Sequence, residues 1–192
     1  VTSDNEAMVQ RELEYILEKA KKDGTKYKVI KLVGSLTDAN AIARDNGFNA
    51  VADENPDVFD VVSEVATEWK GELALAGILS AFEENPDINM IFSPSDALLP
   101  SIISGLQQLD KYKKVGEEGH VTLVTFDGAK DAVDAIKEGY VDVVSVQDAT
   151  NQAKLCIEAA VAAVKGEEVD SMTDPGFEVT ADNVDELGFE GY

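Results

Sequence analysis

Arg44, Trp69, Ser95, Phe126, Asp127 and Gln147 are six side chains in this sequence whose chemistries suit a single purpose. A guanidinium fork can hold ligand hydroxyls at fixed angles. A carboxylate accepts from two hydroxyls, a serine donates one hydrogen, and an amide adds its own polar atoms. Trp69 and Phe126 offer flat aromatic faces that can lie against the apolar side of a sugar ring. Together they make a kit for gripping a polyhydroxylated molecule. Each also has a plainer reading when taken alone. Arg44 suits a surface ion pair and Trp69 suits core or edge packing. Ser95, Asp96 or Asp127 could cap the helix that follows it, and Gln147 merely ends a strand. Catalysis finds less support. No nucleophile has a base beside it, no glycine-rich phosphate loop is present, and no carboxylate cluster has metal spacing. Asp96 with Asp127 is the one pair that could serve as an acid and base or hold Mg²⁺, and nothing singles it out. The expectation is a binding protein, not an enzyme, with no metal and no cofactor.

These residues need a frame that delivers them to one place. His120–Gln147 reads as strand (Val121–Thr125), turn (Phe126-Asp127-Gly128), helix (Ala129–Lys137, stopped by Gly139) and strand (Val141–Val146). That is a βαβ unit with parallel strands, whose ligands bind beyond the carboxyl ends. Upstream, a helix from Asn5 to Lys22 carries Val9, Leu13, Ile16, Leu17 and Ala20 as its apolar stripe, and Ser3 with Glu6 matches a capping box. Then come a strand (Tyr27–Val33), a helix (Ala39–Asn55), a strand (Val58–Val65), a helix (Gly71–Glu84), a strand (Ile88–Phe92) and a helix (Ala97–Leu109). Regular alternation predicts an α/β three-layer sandwich with a mostly parallel sheet. The loops after its strands bring Ser35 to Asn40, Trp69, Ser95-Asp96, Phe126-Asp127 and Gln147 to one rim. Arg44, one or two turns into the second helix, is long enough to reach it.

The pattern stops at Gln147. Asn151–Lys165 is apolar over much of its surface, through Leu155, Cys156, Ile157, Val161, Val164 and several alanines. A helix of this kind needs burial on more than one side, and Cys156 is expected to be a buried small side chain. Asp170–Gly176 is rich in turn formers, Phe177–Thr180 suits a short strand, and Asp182–Leu187 a short acidic turn or helix.

The totals bound the partners. The 192 residues carry 16 basic against 38 acidic side chains, a net charge of −22. Such a surface repels polyanions, which argues against nucleic acid and anionic membrane. The lone Cys156 excludes an internal disulfide, and one histidine gives a metal site or triad almost no support. No stretch is long and apolar enough to span a bilayer, no signal peptide is evident, and the sequence begins at Val1 without Met.

In order, Ser3-Asp4-Asn5, Ala43-Arg44-Asp45-Asn46-Gly47-Phe48, Trp69 among charged neighbours, Asn85-Pro86-Asp87 leading to Phe92, Ser95-Asp96, Phe126-Asp127-Gly128 and Gly139 through Gln147 form a series. The series resembles the periplasmic sugar-binding proteins of the ribose-binding type, which share their fold with the effector domains of LacI-type repressors. The resemblance implies two α/β lobes joined by three crossover strands, with a sugar clamped between them. It implies that Arg44 donates to sugar hydroxyls and that Trp69 and Phe126 face the ring. It also makes Asp127 the acceptor and Gln147 the amide at the last crossover. Ser95 stands where the family often has Asn, a departure that bears on which sugar is taken. By the same comparison about 100 residues of the amino-terminal lobe are absent. Residues 1–147 are then the carboxyl-terminal sugar-binding lobe, 148–170 a helix belonging to the missing lobe, and 171–192 the terminal crossover strand and tail. The implied protein is the solute-binding component of an ABC importer, partnered by a monosaccharide and a membrane permease. It would be extracytoplasmic, in the periplasm or as a cell-surface lipoprotein of a Gram-positive organism. A LacI-type regulator's effector lobe is the alternative. The 151–165 helix should pack on another chain by self-association, fold against an unusual face or be poorly ordered, and sugar binding by this segment alone should be weak or absent.

Overall fold

The β-rich run Tyr27–Val33 alternates so that Tyr27 and Val29 face one layer while Ile30 and Leu32 face the other. A strand buried on both faces in this way belongs inside a sandwich. The computed structural model describes residues 1–192. In chain order the elements are β1 (Thr2–Ser3), α1 (Asn5–Asp23), β2 (Tyr27–Val33), α2 (Ala39–Ala52), β3 (Phe59–Ala66), α3 (Gly71–Glu84), β4 (Met90–Phe92), α4 (Leu99–Gln108), β5 (Thr122–Asp127), α5 (Lys130–Glu138), β6 (Val143–Val146), α6 (Ala149–Val164), β7 (Thr173–Asp174), β8 (Phe177–Thr180) and α7 (Val184–Leu187). The main sheet runs β3-β2-β4-β5-β6-β8. All its pairings are parallel except β6 with β8, which is antiparallel. The expected three-layer α/β architecture with a mostly parallel sheet is the one observed.

Two cores flank the sheet. One lies under α1 and α2 and includes Met8, Leu13, Ile16, Phe48, Phe92 and Phe126. The other lies under α3, α4 and α5 and includes Ile30, Leu32, Ile78, Ile91, Ile102 and Val133. Side chains buried this fully contribute about 1.5–3 kcal/mol each. Helices α1 and α2 approach closely because position 47 is glycine. A Cβ there would lie 2.5 Å from the Glu6 carbonyl oxygen.

Several local expectations need correction. The α1 cap is Asp4, whose carboxylate accepts from Ala7 N at 3.3 Å, and Ser3 takes no part in a capping box. The expected helix Ala97–Leu109 divides into a 3₁₀ turn (Asp96–Leu98), with Ser95 accepting from Ala97 N, and α4, which carries Pro100 in its first turn. Proline there sacrifices no hydrogen bond. Turn-rich 170–176 contains β7, which pairs in parallel with β1 apart from the main sheet.

Helix α6 differs from every other long helix: none of its residues is buried. Ile157, Val161 and Val164 are 65%, 47% and 89% exposed, and Cys156, expected inside, is exposed as well. The helix leaves the body where β1, β7 and the segment after β6 come together. Asp174, on β7, is buried there and accepts from Asp148 N at 3.0 Å and Asn151 Nδ2 at 2.8 Å, while Asp4 N donates to its carbonyl at 2.9 Å. No helix is long and apolar enough to cross a membrane.

Candidate functional site

Five parallel strands put five loops on one rim, in the spatial order Trp69 (after β3), Gly34 (after β2), Ser95 (after β4), Asp127 (closing β5) and Gln147 (after β6). Asp127 is the hub. Its Oδ1 forms an ion pair with Arg44 Nη2 at 3.0 Å and accepts from Gln147 Nε2 at 2.7 Å. Its Oδ2 accepts from Ser95 Oγ at 2.6 Å. The residue sits at φ 116°, a conformation that a non-glycine residue holds only when its surroundings insist. About a third of its side chain stays exposed, at 32%.

Arg44 reaches this hub from α2. It is 4% exposed. Its Nε donates to Asn5 Oδ1 at 2.9 Å, its Nη1 donates to the Pro94 carbonyl, and its guanidinium carbon lies 3.9 Å from the centre of the Phe126 ring. Burial pulls its pKa down while the Asp127 carboxylate pushes back. An arginine remains charged across the physiological range regardless. The stack with Phe126 and the fixed acceptors lock the fork in one plane.

Structure therefore unites Arg44, Ser95, Phe126, Asp127 and Gln147. It also sorts them. Phe126 is fully buried, so its ring supports the guanidinium and presents no face to the rim. Arg44 and Ser95 are nearly buried, which leaves Asp127 and Gln147 as the exposed part of this set. Trp69 stands apart. Glu68 and Trp69 adopt left-handed φ values of 49° and 59°, which folds the indole back over Gly34. A Cβ at position 34 would lie 2.3 Å from Trp69 Cζ2, so only glycine admits the ring. With its ring over the end of β2, Trp69 lies two strands along the rim from β5, which carries Asp127.

Asp96 is not a second site carboxylate. It is 2% exposed and accepts from Thr125 Oγ1 at 2.7 Å, Gly128 N at 2.8 Å and Ala129 N at 2.7 Å. Burial lifts its pKa to about 7 against those donors. Asp96 thereby holds the turn into α5, which is the capping role considered for Asp127, and Asp127 is free to face the rim.

Sequence reasoning missed several supporting residues. Asn5 bridges Arg44 to Asn40 Oδ1, the latter at 3.1 Å, and its place in Ser3-Asp4-Asn5 was the available signal. Tyr192 gave none. Its backbone bonds Gly128 O and Lys130 N at 3.1 Å each, and its hydroxyl accepts from Ala149 N at 2.8 Å, strapping the tail over the turn beside Asp127.

The opposite end of the sheet holds a different cluster. His120 Nδ1 faces the Lys113 carbonyl and Nε2 faces Asp142 Oδ2, both at 2.9 Å. Asp142 also accepts from Leu123 N at 3.0 Å and pairs with Lys19 at 3.6 Å. Both ring nitrogens face acceptors, so the doubly protonated imidazolium fits best. Burial opposes that charge, but hydrogen bonding and attraction to Asp142 outweigh it and raise the pKa. The largest cavity, about 480 Å³, lies at this end among Lys26, Lys28, Asp57 and Asp87. The carboxyl rim is open surface, not an enclosed pocket.

Residues 1–168 match the family described as periplasmic binding protein domain. A xylitol-binding protein from Mycolicibacterium smegmatis is 31% identical over 168 residues, which is 84% of this chain and 45% of that protein. A D-apiose import binding protein from Actinobacillus succinogenes is 28% identical over 143 residues, 74% of this chain and 43% of that protein. The chain thus spans a little under half the length of these curated relatives. Among solved structures, an ABC transporter periplasmic solute-binding protein from Actinobacillus succinogenes with bound D-allose superposes with a TM-score of 0.84 at 22% identity, covering 97% of this chain and 62% of that one. A solute-binding protein from Mycobacterium smegmatis with bound glycerol gives 0.79 at 22%, covering 99% and 62%. These structural matches establish the fold. The family match over most of the sequence, on this fold, establishes that the chain belongs to the periplasmic binding protein domain family.

Proposed function

We propose that this chain is the carboxyl-terminal lobe of a sugar- or polyol-binding protein that serves an ABC importer. The observation that carries the reading is the Asp127 hub. A partly exposed carboxylate is held by a buried arginine, a serine and a glutamine at the carboxyl rim of a parallel sheet, where such folds bind ligands. Asp127 accepts from ligand hydroxyls, Gln147 supplies a donor, the buried Arg44 holds Asp127 in place, and Trp69 covers the apolar face from across the gap. The relatives' substrates, xylitol and D-apiose, and the allose and glycerol of the structural neighbours support a small polyhydroxylated ligand. Their description as binding proteins supports transport over the repressor reading and over catalysis.

An open rim suits half of a clamp. Residues 1–147 form the gripping lobe, 148–170 pack against a second lobe, and 171–192 complete the crossings and tail. The bare surface of α6 supports this division. Closure of the two lobes over the ligand would be the signal that a membrane permease reads, in an extracytoplasmic setting. The test is nuclear magnetic resonance of the 192-residue chain titrated with xylitol, D-apiose, D-ribose and D-allose at millimolar concentration. Weak, saturable shifts confined to the Trp69 indole, Asp127 and the Gln147 amide are expected. Shifts centred instead on the Lys26–Asp87 cavity would overturn the site.

A further inference from the structure

The segments that the sugar-site reading makes the three crossings, β1, the stretch from the end of β6 into α6, and β7, share one line of hydrogen bonds with the Asp127 hub. Asp174 on β7 accepts from Gln152 Nε2 at 3.3 Å. The same nitrogen donates to Ser3 Oγ at 2.8 Å, Ser3 Oγ donates to Gln147 Oε1 at 2.9 Å, and Gln147 Nε2 donates to Asp127 Oδ1 at 2.7 Å. Ser3 lies on β1, Gln147 follows β6, and Gln152 is in the first turns of α6, so every crossing contributes.

The direction of donation is dictated from the ends. An ionised carboxylate only accepts. Gln147 must therefore turn its NH₂ toward Asp127, which leaves its carbonyl oxygen facing Ser3. The Ser3 hydroxyl must spend its one hydrogen on that oxygen, and its lone pairs are then open to Gln152. Gln152 in turn must point its NH₂ inward, where Asp174 also accepts. An amide, a hydroxyl and a second amide are thus oriented by a carboxylate at each end. Ser3 is buried, at 7% exposure, so water does not compete freely for it.

We infer that Ser3 and Gln152 are positioning residues for the ligand site: they lock Gln147 in the orientation that offers N–H, and not C=O, beside Asp127. The inference rests on the sugar-site reading above and makes it more specific. One Gln147 hydrogen is used on Asp127, and the second is left for a ligand oxygen that accepts. The ligand then needs a donor hydroxyl at Asp127 next to an acceptor oxygen at Gln147, a pairing that adjacent hydroxyls of a polyol supply. A flipped amide would present two acceptors side by side and lose that selectivity. Because the line starts at the crossings, a change in their geometry reaches the specificity of the site directly.

The experiment measures exchange with water of the Gln147 side-chain amide protons in the ¹⁵N-labelled 192-residue chain, without sugar. Ser3→Ala should accelerate exchange about tenfold, the equivalent of one lost hydrogen bond, and Ser3→Thr should restore it. Gln152→Met, which keeps length but cannot donate, should accelerate it about threefold by loosening Ser3. Gln152 is half-buried on a projecting helix, so this variant still decides the matter if Ser3→Ala does not fold. Exchange unchanged within about twofold in a folded Ser3→Ala chain, or unchanged in Gln152→Met where Ser3→Ala fails to fold, would overturn the inference. No sugar enters the measurement, so a failed relay and a failed sugar site are seen separately.

Discussion

Helices α1 and α6 have similar lengths, 19 and 16 residues, and opposite fates. Helix α1 is the more polar of the two by composition, yet it buries eight residues, among them Met8, Leu13 and Ile16 at 0% exposure. Helix α6 carries six alanines, two valines, Leu155 and Ile157 and buries none. Apolar content therefore does not decide burial. What decides it is whether the sheet offers a face: α1 runs between β1 and β2 to cover one, while α6 leaves beside β1 and β7 with both faces already taken. The body packs its apolar side chains against one another, and α6 leaves Ile157, Val161 and Val164 exposed.

Removing partners in the body should be costly and altering α6 should not. The largest expected effects are at Arg44 and Ile16. Arg44→Ala deletes a buried guanidinium that satisfies Pro94 O, Asn5 and Asp127. Asp127 can still reach water, so the cost should be about 3 kcal/mol, at the lower end for a broken buried pair. Ile16→Ala in α1 should cost about 2–5 kcal/mol. Chemical denaturation reads both, and a loss under about 1 kcal/mol at either position would break the contrast.

A smaller effect belongs to the His120–Asp142 lock. The folded pKa of His120 is raised above its unfolded value. Its contribution is therefore fully present below about pH 6.5 and is lost as pH rises through the higher folded value. Denaturation midpoints from pH 5.5 to 9 should fall more steeply for the parent chain than for His120→Gln. Parallel curves would remove the charged form. The smallest effect is on α6 itself: Val164→Lys, at an 89% exposed position, should change stability by less than about 0.5 kcal/mol. A large loss there would mean that the helix is already packed in solution.

Strand and helix alternation made the sandwich legible, because period-two and period-3.6 patterns are imposed by burial itself. Tyr27–Val33, Gly71–Glu84 and Phe177–Thr180 fall where the pattern puts them. What local pattern cannot carry is a choice between neighbours. Ser3 and Asp4 both suit a cap, and only the distant Gln147 decides that Ser3 turns away. Phe126 and Trp69 both look like ring-facing aromatics. The pleat sends Phe126 into the core beneath Arg44, while two left-handed residues and Gly34 leave Trp69 at the rim. Cys156 escapes prediction for the same reason as the whole of α6, since apolar neighbours imply burial only when a partner surface exists.

The central claim is that this lobe supplies half of a grip and that Asp127 with its donors is where the ligand is held. Calorimetry tests it most directly on two proteins: the 192-residue chain, and the same chain completed with the amino-terminal lobe of the xylitol-binding relative. The account predicts binding of a pentitol or monosaccharide by the completed protein at about micromolar Kd, weaker by about a hundredfold or more in the chain alone, and abolished in the completed Asp127→Ala variant. Tight binding by the 192 residues alone, or undiminished binding without Asp127, would contradict it.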